Sequence, residues 1–191
     1  MLEYIIIKKA FRKGGFKMNR KLIFNIVITG LLMALVTVAT MLIKVPIPAT
    51  NGYIHVGDSM IFLTAIIFGK RKGALAGGIG SAFADLFLGA PQWIIPTLIV
   101  KGLMGYLVGT VANQESEKLI NIRNVLAMAI GAIWMATGYL FVSSMMYGNF
   151  MVALVEGFPM DLVQGFGGAA LFIPIGIAFK KTGYFRNYVL K

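Results

Sequence analysis

Between residues 22 and 179 the chain is a succession of apolar runs, broken by short polar stretches and by glycine- or proline-containing turns. A membrane-crossing helix needs roughly 20 apolar residues, with tolerance for tilt and for shielding by protein. The first run, residues 22–43, is apolar apart from Asn25 and scattered threonines, and it stops at Lys44-Val45-Pro46-Ile47-Pro48. Two prolines there end a helix and force extended chain. Residues 49–58 (ATNGYIHVGD) are too polar for lipid. A second run extends from Asp58 or Ser59 to Gly69. It is short for a span, so its helix is expected either to start within the polar segment or to be shielded by protein. Lys70-Arg71-Lys72 closes it.

A third run covers residues 73–89, in which Gly73, Gly77, Gly80, Ser81 and Ala84 form a stripe of small residues along one helical face. Such stripes let helix backbones approach closely in lipid, which predicts a central place in the bundle. The fourth run follows the turn Ala90-Pro91-Gln92 and covers residues 93–112. Residues 113–123 (NQESEKLINIR) form the clearly water-soluble internal loop, and the fifth and sixth runs cover residues 125–147 and 162–179. Pro174 is expected to kink the sixth, with neighbouring helices satisfying the freed carbonyl. The half-apolar stretch 148–161 reads as a short interfacial or re-entrant segment. No internal repeat is visible. The fold class expected is therefore an all-α integral membrane protein, a bundle of six transmembrane helices over residues 22–179. A basic segment 1–21 precedes it and a basic tail 180–191 follows.

Composition agrees: 58% of the 191 residues are hydrophobic and 13% charged, and the mean hydropathy is +0.81. Soluble domains carry about 25% charged residues. The formal charge of +11 would suggest nucleic acid if the chain were soluble, but its distribution assigns it to topology. Sixteen of the 18 lysines and arginines fall before helix one, between helices two and three, between four and five, or after six; Lys44 and Lys101 are the exceptions. With six spans all sixteen lie on one side, which places both termini in the cytoplasm and leaves no role for nucleic acid. The chain begins MLEYIIIKKAFRKGGFK before Met18, and Met18 is an alternative start. The apolar run after Lys21 exceeds the ~7–15 residues of a signal peptide and lacks a small-x-small cleavage site, so the first helix is expected to be retained.

Candidate chemistry collects at the other side. Asn51, Tyr53, His55 and Asp58 lie in the first outer loop, Asp85 near the end of helix three, and Trp93 and Lys101 in helix four. Asn149, Glu156, Asp161 and Gln164 surround the last outer turn. Polar residues converging from several elements suggest a ligand cavity opening outward. Ionisable groups within a span cost roughly 2.5–3.5 kcal/mol on insertion scales and face partners or water. Lys101 sits roughly 12 Å inside the start of helix four, and Asp85 roughly 6–8 Å inside the end of helix three. If these helices are antiparallel neighbours, the two can form an ion pair or reach a bound solute. His55 is the single histidine, and no second ligand stands at metal spacing, so neither a metal site nor a cofactor is expected. Trp93 is either an interfacial anchor or a stacking surface. The chain has no GxSxG, no HExxH and no GxxxxGK[ST], so neither hydrolytic catalysis nor P-loop ATP hydrolysis is expected of it.

The succession GYIHVGD (residues 52–58), MIFLTAIIFG, GALAGGIGSAFADLFLG, Pro91-Gln92-Trp93 and IVKGLMGYLVG resembles the substrate-binding S components of energy-coupling factor (ECF) transporters, in the group containing the riboflavin-type S components. The resemblance covers residues 22–179. It implies a six-helix, multi-pass subunit in a prokaryotic plasma membrane, in which the loop after helix one covers a pocket lined by helices four, five and six. Such a subunit binds a vitamin or precursor and delivers it by reorienting against a transmembrane coupling protein driven by two cytoplasmic ATPases. Helix one of the family docks through an AxxxA pattern, for which Gly30-x-x-x-Ala34 is the nearest match here. Asn51, Tyr53, His55, Asp58, Asp85, Trp93, Lys101 and Gln164 are the residues expected to bind substrate. They suit a small polar ring, first hydroxymethylpyrimidine or a pyridoxine-like compound, with riboflavin and pantothenate as alternatives. Outside that resemblance, the competing readings are a self-sufficient secondary transporter or channel, which should show broken-helix repeats, and a membrane enzyme acting on lipid or isoprenoid.

Overall fold

A computed structural model describes residues 20–42, 44–47, 52–116 and 118–182. The basic segment ahead of Arg20, Asn51 and the tail beyond Thr182 lie outside the described residues. Six long helices are present among those described: α1 (Arg20–Leu42), α2 (Gly57–Phe68), α3 (Lys70–Phe87), α4 (Ile94–Val111), α5 (Ile122–Tyr147) and α6 (Phe158–Lys180). Between α1 and α2 the proline-bearing stretch forms strand β1 (Lys44–Ile47), antiparallel to β2 (Gly52–His55), with Lys44 opposite His55 and Pro46 opposite Tyr53. Only Val56 separates β2 from α2, so the hairpin fixes where α2 begins.

Large apolar side chains point outward, including Leu31 (61% exposed), Phe141 (61%) and Met145 (85%), whereas Lys101 and Asp58 are buried at 2% and 0%. Apolar outside and charged inside is the arrangement a hydrocarbon solvent requires. Four helical stretches are long and apolar enough to cross a bilayer alone: Arg20–Leu42, Pro91–Val111, Ile122–Tyr147 and Phe150–Lys180. The other two depend on their neighbours. α2 has only 12 residues, about 18 Å of helix, and 11 of them are buried. Both expectations for this short run are met: the helix starts at Gly57, inside the polar segment, and it is shielded by protein. α3 starts with three cations and is rich in glycine.

The small-residue stripe does bring α3 into close packing, but the expectation of a central place is corrected: α2, buried at 11 of its 12 residues and packed on α1, α3, α4 and α6, holds the centre, and α3 lies beside it. A Cβ on Gly77 would stand 2.7 Å from the Lys101 carbonyl oxygen of α4, and one on Gly80 would stand 2.7 Å from the Met33 carbonyl oxygen of α1. Both helices therefore rest directly on the backbone of α3. The Thr37 hydroxyl donates to the Gly80 carbonyl oxygen at 2.8 Å, a bond that also fixes the register of α1 against α3. Gly69, at φ +89°, supplies the left-handed residue for the reversal from α2 to α3.

The stretch 148–161 differs from its expectation as a separate interfacial or re-entrant piece. A helical turn (Phe150–Val152) and a five-residue π turn (Ala153–Gly157) run into α6 without a break. Pro159, in the first turn of α6, lacks an N–H and cannot continue a regular ladder, and the wider π turn before it accommodates that missing bond. α6 remains helical through Pro174.

Candidate functional site

Asp58 lies in the first turn of α2, held in the interior by the hairpin, and favourable there to the helix dipole. Its carboxylate oxygens are divided between two helices. Lys101 Nζ of α4 donates to Oδ1 at 2.5 Å, and Gln164 Nε2 of α6 donates to Oδ2 at 2.9 Å. Gly168, one turn further along α6, places no side chain where α6 passes the Asp58 Cβ. α5 closes the group from another side: Met135 Sδ lies 2.6 Å from Lys101 Nζ, and the Tyr139 ring centroid 5.6 Å from it. An ammonium over an aromatic face gains a further electrostatic contact. Four helices thus meet at one buried ion pair.

The cluster continues toward the end of the bundle where α3 finishes and α4 begins. The Tyr139 hydroxyl donates to Thr97 Oγ1 at 3.0 Å. Trp93 sits in the 3-10 turn Pro91–Trp93 and packs edge-on against Tyr139, with ring centroids 5.8 Å apart. Asp85 of α3 is half-buried, and its Oδ2 is a buried atom with no hydrogen-bond partner among the described residues. Asp161 of α6 is also half-buried. His55 is 8% exposed, and its Nδ1 would lie 2.8 Å from a Cβ on Gly57, so glycine lets the imidazole pack against the start of α2.

Of the residues expected from sequence, Asp58, Lys101 and Gln164 are in direct contact; Trp93 joins them through Tyr139. Tyr53 is placed on β2 opposite Pro46, and Asn51 lies outside the described residues. The expected Asp85–Lys101 ion pair is corrected: Lys101 pairs with Asp58. α3 and α4 are indeed neighbours, but α2 enters the bundle beside them and carries its own carboxylate to the Lys101 ammonium. Met135, Tyr139 and Thr97 were not singled out by sequence. The i, i+4 spacing of Met135 and Tyr139 on α5 is the signal that could have found two of them. Gly30 and Ala34 are exposed on α1, and no atom of the described residues comes within 4 Å of a Cβ built on Gly30. Among the described residues no cluster of three His, Asp or Glu side chains could hold a metal ion.

Comparison with known proteins agrees with a binding role. A family model for the S component of ECF-type riboflavin transporters matches residues 21–181. An uncharacterized protein of Pyrococcus woesei is 40% identical over 146 residues, covering 76% of this chain and 95% of its own length. The thiamine precursor transporter HmpT of Lactococcus lactis is 28% identical over 172 residues, covering 90% of this chain and 96% of its own length. A UPF0397 protein of Streptococcus agalactiae is 31% identical over 125 residues, covering 60% of this chain and 68% of its own length. A helical bundle with apolar helices outermost, matched over most of its length to one family model, belongs to the ECF-type riboflavin transporter S component family, a transporter component and not an enzyme.

Proposed function

We propose that this chain is the substrate-capturing membrane subunit of an ECF-type importer, and that its solute is a small vitamin precursor with a nitrogen-bearing ring, hydroxymethylpyrimidine first. The observation that carries this is the joining of α2, α4, α5 and α6 at the Asp58–Lys101–Gln164 group, with Trp93 and Tyr139 beside it. A polar group shared by several helices can respond as a unit when a ligand enters, which a loop-borne site cannot do. Asp85 supports the choice of solute. A buried carboxylate oxygen without a donor is costly, and a ring amino group or protonated ring nitrogen would supply one. The relative named as a thiamine precursor transporter, alignable over nearly its whole length, points to the same ring.

In this reading both termini lie in the cytoplasm of a prokaryotic cell. The exposed Gly30–Ala34 face of α1 receives a transmembrane coupling protein, and two ATPases supply the energy. A competition experiment on the purified chain tests the solute. Hydroxymethylpyrimidine should displace a labelled ligand with Kd below about 1 μM, ahead of pyridoxine, riboflavin and pantothenate. Stronger displacement by riboflavin or pantothenate would overturn the choice of ring, and displacement by none would overturn vitamin capture.

A further inference from the structure

At the opposite end of the bundle from Asp85, a cleft of about 660 Å³ opens between the α2–α3 reversal and the loop joining α4 to α5. Lys70, Arg71, Lys72 and Arg123 line it, against the single acid Glu115. None of these four cations forms an ion pair with a carboxylate among the described residues. Three of them occupy the first turn of α3, which has neither an acidic residue nor a side-chain cap. Cations there oppose the helix dipole, so the helix end does not offset their charge.

The walls are built rather than loose. Gln114 Nε2 donates to the Gly109 carbonyl oxygen at 2.9 Å, and the Asn113 N–H donates to Asn124 Oδ1 at 2.8 Å, next to Arg123. Below the cleft, toward the membrane, the same faces of α3 and α4 are apolar and open: Leu75 is 45% exposed, Leu103 42% and Tyr106 41%. Leu75 lies one turn beyond Arg71. Lys70 Nζ rests 5.4 Å over the Tyr106 ring, joining the basic rim to this apolar strip.

We propose that the cleft binds the phosphate of an anionic phospholipid, with the acyl chains lying along the exposed α3–α4 surface. The cations suit any phosphate ester; the apolar strip directly beneath favours the lipid over a soluble phosphate. Basic recesses between transmembrane helices recognise anionic head groups in this way.

Native mass spectrometry of the delipidated chain tests this, with phosphatidylglycerol, phosphatidylcholine or inorganic phosphate added in turn. The expected result is a single phosphatidylglycerol adduct, retained about tenfold over phosphatidylcholine, and reduced about fivefold by Lys72→Gln or by Arg123→Gln. Lys118→Gln, an exposed cation outside the cleft, should leave it unchanged. Each variant removes one charge, so insertion is preserved, and the second variant guards against failure of the first. Equal retention of the two lipids would overturn the proposal. So would an equal loss in Lys118→Gln, which would mark a diffuse basic surface. Inorganic phosphate competing as well as phosphatidylglycerol would assign the cleft to a soluble phosphate and overturn the lipid.

Discussion

Asp58 and Lys101 satisfy each other in the buried interior, and Gln164 takes the remaining carboxylate oxygen. Removing one partner of a buried pair leaves an uncompensated charge, which costs about 3–5 kcal/mol. Lys101→Met should therefore lower the thermal unfolding temperature in detergent and abolish solute binding, with the protein still inserted. Asp58→Asn combined with Lys101→Met removes both charges and should recover most of the lost stability. If the single and double variants unfold at the same temperature, the pair is not what holds these helices. Lys101 was legible in sequence because a cation inside an apolar run needs a reason to be there. Its partner was not. Asp58 reads as the last residue of a polar loop, and only the hairpin's fold onto the bundle makes it interior. Asp85, one run away, was the nearest carboxylate that helix spacing alone could offer.

Among the elements, α3 was the most legible, because a stripe of small residues at helical spacing has few uses other than close packing. Gly77 shows the demand: any side chain there meets the Lys101 carbonyl oxygen and Ile61. Gly77→Val should lose about 1–3 kcal/mol or more by overpacking, seen as a lower unfolding temperature, whereas Gly30→Ala, with open space around it, should not. The full extent of α6 was less legible. Gly157 and Pro159 look like a break in a linear reading, and a π turn that carries a helix past them leaves no periodic signal. α1 presents its small pair outward. Gly30→Leu together with Ala34→Leu should leave stability and vitamin binding intact but prevent co-purification with the coupling protein. Loss of vitamin binding instead would place that face inside the binding unit.

The whole molecule is a bundle with two chemically unlike ends: carboxylates and aromatics gather at one, and most of the cations at the other. Once the six apolar runs are marked, the distribution of lysine and arginine makes this division readable in the sequence. The native chain has no cysteine, so single cysteines report topology cleanly. Lys17→Cys and Lys191→Cys should both be labelled by an impermeant maleimide only from the cytoplasmic side; labelling from opposite sides would contradict an even number of spans. Neither end carries machinery for ATP hydrolysis in its sequence. Capture and energy supply should therefore separate experimentally. The most direct test is to reconstitute the purified chain in liposomes with labelled hydroxymethylpyrimidine, alone and then with a coupling protein and its two ATPases. Alone it should bind the compound saturably without accumulating it, and with the partners it should show uptake that requires ATP. Accumulation by the chain alone, driven by an ion gradient, would contradict a binding subunit that depends on others for energy.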